Sequence, residues 1–242
     1  MKFDKLCFRR LYNCFTMNKK ELIMKYEGIL SRIYRILGRN RYKVAKGNTF
    51  HISNVFAKGC RFVIGGHNNI VEIQPGLTRL TNTMITINGS NNHILVMGGA
   101  NLVNASLYIE DDGGEIVLKR HVTISGATNI AVIEGKKVVI GEDCLFSSEI
   151  QFRTGDSHSI LDQLTGKRIN PSQDIEIGDH VWIGNDVKIL KGVRVGDNSI
   201  IGTGAILSAG EYPSHSIIGG IGHGKVLKTG VDWTPQRIII EE

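Results

Sequence analysis

Residues 177–207 read IGDHVWIGNDVKILKGVRVGDNSIIGTGAIL, and an aliphatic side chain returns at every sixth position: Ile177, Ile183, Ile189, Val195, Ile201 and Leu207. Glycine follows directly at four of these, as Gly178, Gly184, Gly196 and Gly202. Helices repeat every 3.6 residues and strands every 2, so neither accounts for a strict six. One hexad makes one short strand and one corner, and three hexads close a triangular coil. The recurring aliphatic residue then points inward and stacks on its counterpart one coil away. Small residues at the corners let the backbone turn without a side-chain clash. The pattern predicts a parallel β-helix of hexapeptide repeats.

The same register runs back to Ile140, Phe146 and Phe152, and breaks between Phe152 and Ile177. The interrupting segment, TGDSHSILDQLTGKRINPSQD, is too polar and too long for one face of a coil. It reads as an excursion loop over about 154–174, and loops thrown from a rigid scaffold are where chemistry is usually placed. From Gly47 to Ile140, short β-branched runs alternate with Gly/Asn corners (GGHNNIVEI, INGSNNHILVM, GGANLVNASLYIEDDGG) and read as looser coils of the same helix. Their Asn and Gly residues suit positions with positive φ. After Leu207, SAGEYPSHSIIGGIGHGKVLKTGVDW reads as a final coil and a C-terminal cap, over about 209–242, because an open coil end leaves backbone groups unpaired.

The totals fit this picture. There are 29 Gly and only 4 Pro in 242 residues, as a chain of many tight corners requires. The formal charge of +6 is unevenly spread. Residues 1–46 hold 13 Lys/Arg against 3 Asp/Glu, while the remainder holds 16 against 20. The basic character therefore belongs to an N-terminal arm, 1–46, and the β-helix domain, 47–242, is net negative, so no nucleic-acid partner is expected. Within the arm, Asn18 and Glu21 resemble a helix N-terminus, Leu22, Tyr26, Ile29, Leu30, Ile33 and Leu37 follow at helical spacing, and Gly38 is a natural stop. Such a basic amphipathic helix packs on the β-body, makes peripheral contact with an anionic inner membrane face, or attracts an anionic polymer. Apolar runs fall far short of the roughly 20 residues of a membrane span. The opening MKFDKLCFRRLYNCFT is too interrupted by charge for a secretory segment, although Met17 and Met24 offer later starts. Cys7, Cys14, Cys60 and Cys144 show no CxxC spacing and read as free thiols of a reducing compartment, so a cytoplasmic location is expected.

Two residues around the loop stand out. His158 lies within it, two residues after Asp156. Histidine is the residue type suited to taking and returning a proton near neutral pH. Taken alone, it reads more simply as a solvated loop residue. Trp182 falls on the strand that follows the loop, and is too large for the interior of the triangle, so it belongs outside, either lining a cleft or packing at a surface contact.

Together these features resemble the hexapeptide-repeat acetyltransferases with a left-handed parallel β-helix: a glycine-rich array, a loop carrying Asp-x-His, then VWIG, then GDNSIIGTGAIL. The resemblance is strongest over about 138–230, and the GKRIN stretch draws it toward the O-acetyltransferases of bacterial capsular and surface polysaccharides, such as those acting on polysialic acid. It implies His158 as the catalytic base and Trp182 beside the acceptor, with Asp156 either orienting the imidazole or binding the sugar. It implies acetyl-CoA as co-substrate and no metal, with Asn185, Thr203 and Ser208 along the coenzyme and Lys225 and Lys228 near its phosphates. Two positions depart from the family pattern: His223 replaces a proline and Ala209 a frequent lysine. A homotrimer with a site shared between neighbours, and a glycan acceptor, are also implied. The expected chemistry is direct transfer in a ternary complex, with the indole N–H of Trp182 or a backbone N–H stabilising the oxyanion.

Three other functions remain open on sequence. One is acetylation of a small molecule, such as a simple sugar, nucleotide sugar or antibiotic. Another is a zinc site using His121, His158 and His180, as in β-helical carbonic anhydrases. The third is a non-catalytic β-helix acting as a scaffold or binding glycan.

Overall fold

The computed structural model describes residues 32–33, 36–221 and 224–236. Of the N-terminal arm, everything before Arg32 lies outside the described residues, including the expected helix start at Asn18. Its last turn is helical at 36–37, with Ile36 and Leu37 exposed. The chain then enters the coil at Asn40, whose side chain bonds the Ala57 carbonyl and the Cys60 amide.

The described residues form 25 strands in three sheets. Strands β1 (Arg41–Val44), β2 (Thr49–Ile52) and β3 (Phe56–Lys58) make the first coil. Each later triplet makes the next, through an eighth coil of β22 (Ile206–Leu207), β23 (Gly210–Tyr212) and β24 (Ser216–Gly219). The three strands of a coil each join a different sheet, here called sheets one, two and three in that order, and pair in parallel with the coils above and below. The fold is a left-handed parallel β-helix.

The hexad residues form the interior columns. Ile177 and Val195 pair in sheet two, Ile183 and Ile201 in sheet three, and Ile189 and Leu207 in sheet one. All six are buried. Ile140, Phe146 and Phe152 occupy the same columns in the preceding turn, and Phe146 and Phe152 stack with ring centroids 5.6 Å apart. Neighbouring coils sit so close at the corners that a Cβ on Gly184 would stand 2.8 Å from the Thr203 amide nitrogen.

Coil length changes along the axis. Met84 pairs with Ser106 and Thr128 with Ile150, steps of 22 residues, whereas Lys188 pairs with Ile206, a step of 18. The additional residues of the early coils sit in corners. Asn54, Asn68, Asn82, Asn91 and Asn104 take positive φ there, near 50–60°. Beside them Asn69 and Asn92 are buried and linked, the Asn92 amide donating to Asn69 Oδ1 at 2.9 Å and Gly114 N–H to Asn92 Oδ1 at 2.6 Å. This ladder satisfies backbone groups that a widened corner would otherwise leave buried and unpaired.

At the C-terminal end the regular coil continues through Gly219, and the closing element is β25 (Lys225–Thr229), which pairs antiparallel with β24 and covers its edge. Phe152 lies fully buried in the coil from which the long loop departs. Phe152→Ala is expected to destabilise the protein by about 3–5 kcal/mol, read as a lowered denaturant midpoint at unchanged slope.

Candidate active site

The loop leaves the scaffold after β16 (Ile150–Arg153) and returns at β17 (Ile175–Ile177), so it is inserted at the corner between sheets one and two. Its neck is closed by Gln173 N–H donating to the Thr154 carbonyl at 2.9 Å, while the buried Thr154 hydroxyl accepts from Ile133 N–H. Beyond the neck the chain folds into a small hairpin. Ile169 N–H bonds the Ile160 carbonyl at 2.9 Å, and Asp162 N–H bonds that of Lys167 at 2.8 Å. The Asp162 carboxylate ties the tip by accepting from both the amide and the hydroxyl of Thr165 at 2.7 Å.

Asn170 is the hub of this loop, only 7% exposed. Its amide group donates to Asp156 Oδ2 at 2.9 Å and to the His158 carbonyl at 2.8 Å. Its side-chain oxygen accepts from the Ile160 amide at 2.7 Å and from Arg168 Nε at 3.2 Å. Two ion pairs tie the loop to neighbouring coils. Arg168 meets Glu134 at 2.7 Å, and Lys191 meets Asp156, bonding the Asn170 carbonyl as well. The hydrogen bond from Arg168 holds the Glu134 carboxyl below the usual carboxylate range. Asp156 is held low by Lys191 first and by Asn170 second.

His158 sits exposed on this braced segment, its backbone fixed on both sides: its N–H donates to the Asp156 carbonyl at 2.8 Å and its carbonyl accepts from Asn170. Among the described residues its imidazole has no hydrogen-bond partner within the chain. The Asp156 carboxylate turns to Lys191 and Asn170 rather than to the His158 ring.

Trp182 opens β18 (Trp182–Ile183) in sheet three, its side chain outward and 41% exposed, in a row between Leu145 and Ile200. A second tryptophan lies beside it. The chain after β25 returns across the corner between sheets two and three, and Trp233 stacks on His180 with centroids 4.2 Å apart and planes 8° from parallel. Trp233 Nε1–H donates to the His180 carbonyl at 2.7 Å, and its ring stands 6.0 Å from that of Trp182.

The remaining candidate positions divide between the two edges of sheet one and the closing strand of sheet three. Asn185 and Thr203 stand one above the other at the corner between sheets three and one, following the paired Ile183 and Ile201, with the Asn185 carbonyl accepting from Gly204 N–H at 2.8 Å. Ser208 lies at the opposite edge of sheet one, after β22. Lys225 pairs with Gly219 and Lys228 with Ile217. A bulge between Ile217 and Ile218 absorbs one residue, so these lysines, three apart, follow the facing of two positions that are two apart and share the outer side. Ala209 is exposed just after Ser208, and His223 lies outside the described residues. His121 and His180 lie on one corner column with Asp143 between them, and His158 is on a different corner, so the three do not converge within one chain. Among the described residues no group of three or more His, Cys, Asp or Glu is placed to hold a metal ion.

Sequence reading singled out His158, Asp156 and Trp182 but not Asn170, Lys191, Glu134 or Trp233. The dipeptide Asn170–Pro171 was the one local signal, since a residue before proline is held extended and suits a loop return. Lys191 and Glu134 lie 35 and 22 residues from Asp156, and no local pattern connects them.

Residues 174–209 match the bacterial transferase hexapeptide family (six repeats). The chain is 34% identical over 148 residues to the polysialic acid O-acetyltransferase of Neisseria meningitidis, across 52% of this chain and 68% of that protein. The structure superimposes on that of the polySia-specific acetyltransferase NeuO with a TM-score of 0.68 at 29% identity, covering 78% of this chain and 86% of the other. The polysialic acid O-acetyltransferase OatWY shares the fold, with a TM-score of 0.69 at 24% identity over 82% of this chain and 89% of that one.

Asp156 and Glu134 are both lowered in the folded protein, so their contribution is complete above their unfolded pKa values, about 4, and fades as pH falls below that range. Amide protection at Ile160 and Ile169, corrected for intrinsic exchange, is therefore expected to hold from neutral pH to about pH 4.5 and to fall at about pH 3. Protection unchanged at the lower pH would show that the two ion pairs do not hold the loop.

Proposed function

This chain belongs to the hexapeptide-repeat O-acetyltransferases, and from that membership we propose that it transfers the acetyl group of acetyl-CoA to a sugar hydroxyl of a bacterial capsular or surface polysaccharide, with His158 as general base. The observation that carries the reading is the braced loop. It holds the backbone of His158 rigidly while leaving the imidazole clear of intrachain partners and exposed to an incoming hydroxyl.

In this reading His158 removes the proton of the sugar hydroxyl as that oxygen attacks the thioester carbonyl. The C–O bond forms, and the carbonyl oxygen carries the negative charge of the tetrahedral intermediate. The Trp182 indole N–H or a backbone N–H of the corner donates to it. Collapse breaks the C–S bond, and protonated His158 returns its proton to the departing thiolate. Asn185 and Thr203 run along the coenzyme, Ser208 flanks it, and Lys225 and Lys228, on one side of β25, meet its phosphates. Asp156 acts as a positioning residue, keeping the loop in place through Lys191 and Asn170. The chemistry is complete without an acyl-enzyme or a metal.

His158 projects from the corner between sheets one and two, whereas Trp182 lies on sheet three, so a complete site on this reading takes both from different copies of the chain. A cyclic homotrimer answers that need. The arm, 1–46, and the β-helix domain, 47–242, then divide the work. The domain holds the site, and the basic arm gives peripheral contact with an anionic inner membrane face on the cytoplasmic side.

The test is acetyl transfer from labelled acetyl-CoA to a panel of bacterial polysaccharides and short sugars. His158→Ala is expected to lower turnover on a polysaccharide by about 10²–10⁴. A loss of less than tenfold would remove His158 from the role of base. Sedimentation addresses the assembly, since a monomer with full activity contradicts a shared site.

A further inference from the structure

The segment after β25, over 230–236, lies along the body of the helix. Val231 N–H bonds the His215 carbonyl at 3.0 Å on the eighth coil, Trp233 lies on His180 in the sixth, and Pro235 reaches a cavity that spans the fourth to sixth. The strap thus runs down the corner between sheets two and three, against the direction in which the coils advance. Beneath its end is an open cavity of about 400 Å³, lined by His121, Thr123, Asp143, Leu145, His180 and Trp233. Leu145 is the strand neighbour of Trp182, so the cavity adjoins the outward face of that indole.

Its walls are of two kinds. Trp233, Leu145 and Pro235 offer apolar surface. His121 and Asp143 face each other with Nδ1 and Oδ1 3.2 Å apart, both exposed, and present donors and acceptors at the opposite side. A pyranose ring has the matching pair of surfaces, an apolar face of C–H groups and a rim of hydroxyls, and aromatic rings beside a few placed polar groups are the usual composition of a small-molecule site. Direction adds a second argument. The positions assigned to the coenzyme lie on the sixth to eighth coils and the closing strand, while the cavity lies on the fourth to sixth. Donor and acceptor would approach Trp182 from opposite ends of the helix.

We propose that this cavity is an acceptor subsite, holding the pyranose next to the one that is acetylated, with Trp233 as its specificity-determining wall; the proposal rests on the acetyltransferase reading for its link to catalysis, and on the cavity alone for binding. Because Trp233 is stacked on His180 and hydrogen-bonded to its carbonyl, the wall is preorganised and binding need not order it.

The experiment compares wild type, Trp233→Ala and His121→Ala, the second altering the far wall without touching Trp182. Saturation-transfer NMR with polysialic acid, its trisaccharide and methyl galactoside reads binding directly, and the transfer assay reads KM and kcat. The expected result is a rise of about tenfold in KM for the polymer in both variants, equivalent to ~1.4 kcal/mol, with kcat and the KM for acetyl-CoA little changed and saturation of the trisaccharide lost. Wild-type saturation of a glycan without any acetyl transfer, lost in both variants, upholds the subsite while removing the acetyltransferase reading. An equal fall in kcat on polymer and methyl galactoside with both KM values constant makes Trp233 a support for Trp182 and overturns the subsite. It is overturned also if neither variant differs from wild type, or if the wild type saturates none of the three glycans.

Discussion

Everything in this molecule depends on the stacking of inward side chains onto their counterparts in the next coil. A single coil cannot bury these side chains, because much of their cover comes from the coils above and below. The parallel ladder and the interior column therefore form together or not at all, and the column must be continuous. That explains why Phe152 and Ile189 pair directly although a loop separates them in sequence. It also explains the fillers on the rungs around the loop, since the stacked rings of Phe146 and Phe152 occupy the interior at the coil where the chain is most interrupted. The loop is anchored to a rigid floor.

The corners are the free variable. Corners carry interior side chains too, such as Val122, Cys144 and Val181, yet residues added there leave the strand columns paired in register. Four extra residues per coil widen the early turns, and the Gln151 to Lys188 step of 37 accommodates a whole hairpin. Each insertion brings its own polar bookkeeping: Asn69 and Asn92 satisfy the widened corners, and Asn170 satisfies the hairpin. An asparagine serves both because its amide donates twice and accepts at its oxygen, matching a backbone that turns away from its ladder. Of the residues proposed for the chemistry, Trp182, Asn185, Thr203 and Ser208 fall where the hexad is strictest, in the sixth to eighth coils, whereas His158 stands on the insertion itself.

This division sets what was legible in the sequence. The interior column was readable because one residue class recurs at one interval, and each of Ile177, Ile183 and Ile189 can be assigned a sheet by counting. The loop was readable as an interruption of that count, and Trp182 as an outward residue by size alone. The residues that hold the loop were not readable. Lys191 meets Asp156 only because three sheets fold a 35-residue separation into adjacent coils, and Arg168 reaches Glu134 in the same way. Trp233 was hidden for a related reason, being an isolated aromatic beyond the repeat whose partner, His180, lies 53 residues earlier. The assignment of His158 rested on resemblance more than on its own surroundings, since a histidine in a polar loop carries no periodic signal.

A triangular prism is convex, and a convex body offers no cleft. Two side chains on different sheets of one chain face away from each other, so the scaffold alone cannot enclose a substrate on both sides. Concavity has to be added, and this chain adds it at two corners: a hairpin between sheets one and two, and a strap between sheets two and three. The hairpin is built to stand away from the body, with Ile160, Leu161, Leu164 and Ile169 exposed along it, whereas the strap lies flat and is pinned by an aromatic stack and a 2.7 Å hydrogen bond. A projecting wall suits something that arrives from outside the chain, such as the sheet-three face of a neighbouring copy on the proposed trimeric reading. A pinned wall suits a ligand that slides along the surface. The two additions flank sheet two from its opposite edges, so on the proposed trimeric reading the strap serves the Trp182 of its own chain and the hairpin that of a neighbour.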